Sequence, residues 1–149
     1  MRVLVTGASR GIGYAVTRAF AERGETVFAT YKSTDHTLPS LAKENLAGEV
    51  IPVYCDVSDE ESVKALFAQV GEIDVLVNNA GIAQFSLLSD ISGSDWDRML
   101  DTNLKSAFLC SREASRGMIR RGFGRIINIS SVWGIVGASC ETHYSASKA

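Results

Sequence analysis

Five short apolar runs alternate with segments of helical periodicity, and that alternation restricts the fold of this 149-residue chain more than any other feature. Arg2 to Thr6 is the first run, and Ile12 to Arg23 follows with helical spacing through Ile12, Val16, Ala19 and Phe20. Gly24 ends that helix, and Thr26 to Tyr31 reads as a second strand. Residues 33 to 48 are polar and hold one proline, which supports at most a short helix. Val50 to Cys55 is a third strand, and Pro52 inside it has no N–H for a ladder, so this strand belongs at a sheet edge. Ser58 with Glu61 predicts a capping box before a helix through Val63, Leu66, Phe67 and Val70. Ile73 to Val77 is almost wholly apolar, as a strand covered on both faces must be. Ser94 is expected to cap a helical region that runs, with a break near Asn103, to Arg121. Arg125 to Ser130 forms a fifth strand, and a last helix begins near Thr142. This order predicts an α/β fold: a doubly wound parallel sheet in three layers, with right-handed crossovers.

Composition narrows the function. A formal net charge of -2 carries no basic bias, which argues against a nucleic-acid partner. No apolar run approaches the ~20 residues of a membrane span, and the N-terminus does not read as a signal peptide, so a cytoplasmic protein is expected. Cys55, Cys110 and Cys140 are odd in number and widely spaced, the pattern of reduced thiols. Cys140 and His143 lack further ligands at useful spacing, so no metal site is expected.

The first strand and helix are joined by T-G-A-S-R-G-I-G, which contains Gly7, Ser9, Arg10, Gly11, Ile12 and Gly13. Glycines at these points permit a tight turn, close approach of a phosphate and close packing of helix on strand. The following helix aims free N–H groups and the positive end of its dipole at an anion. The segment therefore predicts dinucleotide binding. Near the end of the chain, Tyr144 and Lys148 lie four residues apart, on one face of the last helix. A free phenol titrates near pH ~10, and a neighbouring ammonium favours its ionised form.

The spacing T-G-x-x-x-G-x-G resembles the glycine motif of the short-chain dehydrogenase/reductase family. C-D-V at Cys55 to Val57, N-N-A-G at Asn78 to Gly81, Asn103, I-N-I-S-S at Ile127 to Ser131 and Y-S-A-S-K at Tyr144 to Lys148 follow in the family's order. The resemblance implies a Rossmann-type fold, strand order 3-2-1-4-5 and a nicotinamide cofactor. It implies that Asp56 and Val57 contact the adenine, and Asn79, Ala80 and Gly81 the region of the nicotinamide ribose. It implies a catalytic set of Asn103, Ser131, Tyr144 and Lys148. Tyr144 would be the general acid, and Lys148 would also hold the nicotinamide ribose. Ser130 competes with Ser131, and the family's serine-to-tyrosine spacing selects Ser131. Asn103 matches the asparagine that helps to hold a proton-relay water behind the lysine.

The end of the second strand bears on which nicotinamide is used. An acid there would accept from the adenosine ribose and repel a 2′-phosphate. This chain has Tyr31 and Lys32, no carboxylate before Asp35, and Arg10 in the glycine turn, which favours NADP(H) over NAD(H). Within the family the chain looks most like the bacterial 3-oxoacyl-acyl-carrier-protein reductases, which implies reduction of a small or carrier-bound ketone, and a homo-oligomer at full length. V-G-A-S-C-E-T-H-Y also resembles a group thought to reduce an aminoketone on modified elongation factor P, where Glu141 would meet the amine. In the family the chain continues beyond the lysine. The 149 residues are thus expected to be a partial Rossmann domain with five strands, incomplete at its C-terminus and with little turnover alone. A short module that binds NADP(H) or a partner without catalysis is the alternative.

Overall fold

The computed structural model describes residues 1–33 and 37–149, so Asp35 lies outside the described residues. Five parallel strands form one sheet in the order β3-β2-β1-β4-β5. They are β1 (Arg2–Val5), β2 (Thr26–Tyr31), β3 (Glu49–Tyr54), β4 (Val75–Asn78) and β5 (Arg125–Asn128). The Pro52 strand is at the edge, as its missing donor requires. Rossmann topology and strand order agree with the sequence reading.

The central strand β1 explains why both faces must be apolar. Leu4 pairs in register with Phe28 and Leu76 and shares one core with Val63, Leu66, Leu109 and Cys110. Val3 and Val5 point the other way and pack with Val27, Ala29, Val75, Val77, Ala21, Leu38 and Leu41. The first core is closed by α3 (Glu60–Val70) and α5 (Ser106–Arg121), the second by α1 (Gly11–Glu22) and α2 (Thr37–Leu41). Two covered faces leave a strand such as β4, buried at every residue, no solvent side to alternate with. The opposite edge differs: all four residues of β5 are exposed, including Ile126 and Ile127.

Two expected caps move. Ser58 does not cap α3, because its hydroxyl donates to Asp56 Oδ1 at 2.6 Å. The helix begins later, and the Asp59 carboxylate accepts from Ser62 N–H at 3.0 Å. Glu61 pairs with Lys64 instead of reaching back. Likewise Ser94 lies inside α4 (Gly93–Leu100), and Ser92 is the cap, accepting from Asp95 N–H at 3.0 Å. In both places a neighbouring hydroxyl or carboxylate competed for the same free backbone donors. The break near Asn103 is a π turn over Asp101–Lys105, which joins α4 to α5. Beyond β5 lie α6 (Trp133–Val136), too short to show in the sequence pattern, and α7 (Thr142–Lys148). No helix among the described residues is long and apolar enough to cross a membrane.

Leu76 is fully buried on a central strand. Leu76→Ala should lower the unfolding free energy by about 2–5 kcal/mol, read as a lower denaturant midpoint with an unchanged slope.

Candidate active site

The site begins where β1 and β4 end. Thr6 is buried, and its Oγ1 accepts from the backbone N–H of Asn79 and of Ala80, each at 3.0 Å. Asn79 returns the bond: its Nδ2 donates to the carbonyls of Thr6 and Gly7, each at 3.0 Å. The two loops are thereby clamped together, and the clearance is small. Gly7 has φ +63°, and a Cβ on it would lie 2.8 Å from Ala80 Cα. Gly13 is buried at the start of α1, where a Cβ would come within 2.4 Å of both Asn79 Nδ2 and the Gly7 carbonyl. Gly7 serves the turn and Gly13 the close packing of helix on strand.

A cleft of about 1060 Å³ opens above this clamp. Of the expected cofactor residues, Gly7, Ser9, Arg10, Gly11, Ile12, Tyr31, Lys32, Val57, Asn79, Ala80 and Gly81 line it. Gly13, Asp56, Tyr144 and Lys148 are not among its lining residues. Gly13 supports the turn from behind, and Asp56 stands beside the cleft, its Oδ2 2.7 Å from Lys32 Nζ. Burial pushes the Asp56 carboxyl upward, but bonds from Lys32 and Ser58 outweigh it and hold the group below the usual carboxylate range. Arg10 precedes α1 in an extended conformation, and no side chain caps that helix start. The first-turn N–H groups of α1 are thus left for an anion. Thr30, Ile82 and Thr102 also line the cleft and were not singled out in the sequence, and Cys55, named there only as a thiol and in the C-D-V motif, lines it as well. Thr30 Oγ1 accepts from Gly7 N–H at 3.2 Å, a tertiary bond that no local pattern announces.

The second half of the site is built on the π turn. Asn103 is buried there, and all its side-chain groups are used. Oδ1 accepts from Ile82 N–H at 2.8 Å, and Nδ2 donates to the Ile82 carbonyl and to Ser147 Oγ, each at 2.9 Å. Ser147 in turn donates to the Tyr144 carbonyl at 2.7 Å. Asn103 therefore fixes the loop after β4 and the face of α7 that holds Tyr144. Ser147 was missed in the sequence, because its partner lies 44 residues away.

Lys148 reaches back to the sheet and donates to the Ile129 carbonyl at 2.9 Å. Burial alone draws its pKa below the ordinary lysine value. A Cβ on Gly81 would lie 3.4 Å from Lys148 Nζ and 3.2 Å from Asn103 Oδ1, so Gly81 links the cleft to this group. Tyr144 is half-buried one turn earlier. Ser131 follows β5, and its Oγ accepts from Trp133 N–H at 3.2 Å. Ser130 is occupied differently, donating to the Lys148 carbonyl at 2.5 Å. Among the described residues no group of three or more His, Cys, Asp or Glu side chains is placed to hold a metal ion. Cys55, Cys110 and Cys140 are free thiols, and burial pushes that of Cys110 up to about 12.

This combination of parallel sheet, glycine turn and an asparagine on a π turn is that of one protein class: the chain belongs to the short chain dehydrogenase family, whose profile matches residues 1–149. More particularly, it is 41% identical to a 3-oxoacyl-acyl-carrier-protein reductase of Staphylococcus aureus, over 98% of this chain and 62% of that protein. It is 43% identical to the reductase of the same name from Thermotoga maritima, over 98% of this chain and 61% of that protein. A solved structure assigned as a short-chain alcohol dehydrogenase of Sinorhizobium meliloti matches with a TM-score of 0.89 and 36% identity, over 99% of this chain and 60% of that one. Another, assigned as a betaketoacyl-ACP reductase, matches with a TM-score of 0.92 and 32% identity, over 99% and 61% respectively. The chain thus spans about three-fifths of the length of the relatives it matches.

Replacing Asn103 with Leu would strand the Ile82 N–H and carbonyl without their buried partner. The unfolding free energy should fall by about 1–3 kcal/mol, and hydrogen exchange should show lost protection at the Ile82 amide.

Proposed function

We propose that this sequence carries the cofactor half and the reacting groups of an NADP(H)-dependent reductase that converts a 3-oxoacyl thioester to its 3-hydroxy form. The observation that carries this reading is the continuity at Gly81, where the nucleotide cleft meets the Lys148 ammonium and the Asn103 bracket. The names of the relatives support a 3-oxoacyl-acyl-carrier-protein substrate over an aminoketone.

The residues present fit a dinucleotide. An uncapped helix start faces the cleft, and Gly11 has φ +56° with open space where a side chain would stand. The α1 N–H groups would hold the pyrophosphate, Lys32 and Arg10 the 2′-phosphate, Val57 the adenine, and Ala80 and Gly81 the nicotinamide-side ribose with Lys148. When bound, NADPH supplies a hydride to the carbonyl carbon. Ser131 Oγ holds the substrate carbonyl oxygen, and Tyr144 gives that oxygen its proton as charge develops there. Lys148 brings a cationic group from one helical turn beyond Tyr144, held by the Ile129 carbonyl. Asn103 acts through position: its amide is committed to Ile82 and Ser147, so it sets where α7 stands. Burial draws the Lys148 pKa down, so its charge disappears at lower pH than that of a free lysine, and reduction weakens as pH rises through that value.

Oxidation of NADPH with acetoacetyl coenzyme A as the ketone tests the reading. In a protein that carries this sequence at the full length of its relatives, Tyr144→Phe should lower the rate about 10²- to 10⁴-fold while fluorescence titration shows NADPH still bound. A Tyr144→Phe protein that keeps the parent rate would sink the acid assignment.

A further inference from the structure

The strand register brings together two charges that the sequence keeps 24 residues apart. β2 and β3 are parallel with Tyr31 opposite Tyr54, so the residues just beyond the strand ends, Lys32 and Asp56, emerge side by side at the cleft rim. Lys32 Nζ lies 2.7 Å from Asp56 Oδ2. The carboxylate is the fixed member of this pair. Its other oxygen accepts from Ser58 N–H at 3.1 Å and from Ser58 Oγ at 2.6 Å, and the Asp56 N–H donates to Ser62 Oγ at 3.0 Å. Lys32 is the adaptable member, with its side chain 64% exposed on a flexible stem. The ammonium that lines the cleft therefore already has an anionic partner, built into the protein and held at the right place.

We propose that Asp56 sets cofactor discrimination by competing with the 2′-phosphate of NADP(H) for the Lys32 ammonium. The inference rests on the NADP(H) reading above. A 2′-phosphate arriving at the rim must share or displace Asp56, and the carboxylate offsets part of the attraction that Lys32 would otherwise exert. An unphosphorylated ribose makes no such demand, so the carboxylate lowers the preference for the phosphorylated nucleotide without needing to touch it. Lys32 and Asp56 together then hold the chain at a moderate NADP(H) preference that either residue alone would not give.

The decisive measurement is the ratio of dissociation constants for 5′-ADP and 2′,5′-ADP, by calorimetry on the parent, Asp56→Asn, Lys32→Gln and the double variant. Asparagine keeps an oxygen for Ser58 and removes the charge, and the ratio cancels any change common to both nucleotides. Asp56→Asn should raise the preference for 2′,5′-ADP roughly two- to fivefold, the scale of an exposed ion pair. Lys32→Gln should lower the preference, and adding Asp56→Asn to it should change nothing further. An unchanged or reduced preference in Asp56→Asn overturns the inference. So does an equal gain in the Lys32→Gln background, because the carboxylate would then be repelling phosphate directly. If the parent shows no preference for 2′,5′-ADP and Lys32→Gln leaves it so, the NADP(H) reading itself fails, and this inference with it.

Discussion

The reciprocal bonding between Thr6 and Asn79 is what the site depends on. Parallel strands from different parts of a chain end at the same level, and nothing in the sheet itself fixes the loops that leave them. Here one hydroxyl takes two backbone donors from the loop after β4, and one amide gives two bonds to the turn after β1. The loops are drawn so close that a methyl group at Gly7 or Gly13 would collide with backbone or amide atoms across the gap. The cleft above this clamp is therefore a consequence of the clamp, and so is the placing of Ala80 and Gly81 at its floor.

A second clamp is stacked on the first. Asn103 takes up both backbone groups of Ile82, one residue beyond Gly81, and passes the constraint through Ser147 to α7. A regular α-helix from Gly93 to Arg121 would continue past this point with its backbone bonds unbroken; the π turn inserts the local expansion in which Asn103 faces inward. The helix irregularity and the fixed position of α7 are thus one arrangement seen from two ends. α7 itself has seven residues, too few to hold a helix in water unaided, and its ties to Asn103, Ile129 and Ser130 supply what its length lacks.

Much of this was legible in the sequence because it follows from periodicity and from special residues. The edge position of Pro52, the glycine turn and the interruption at Asn103 each leave a local mark that does not depend on distant partners, whereas the strand order came from the family resemblance. The helix starts at Asp59 and Ser92 were displaced in the reading because serine and aspartate cluster there, and a string of letters does not show which one turns toward the free N–H groups. Thr6, Thr30 and Ser147 were passed over for another reason. A buried hydroxyl earns its place through a partner tens of residues away, and only the folded register reveals that partner. The Lys32–Asp56 pair is the clearest case: each residue was assigned to the cofactor separately, and their attraction to one another appears only once β2 and β3 lie in register.

The two borders of the sheet are chemically unlike. On the β3 side a proline interrupts the row of donors, while on the β5 side a fully exposed strand carries Ile126 and Ile127. The row of backbone groups is broken by Pro52 at one border and is proline-free at the other. The proline-free border lies on the side of Ser131 and Tyr144, and the interrupted one on the side where Lys32 and Asp56 meet.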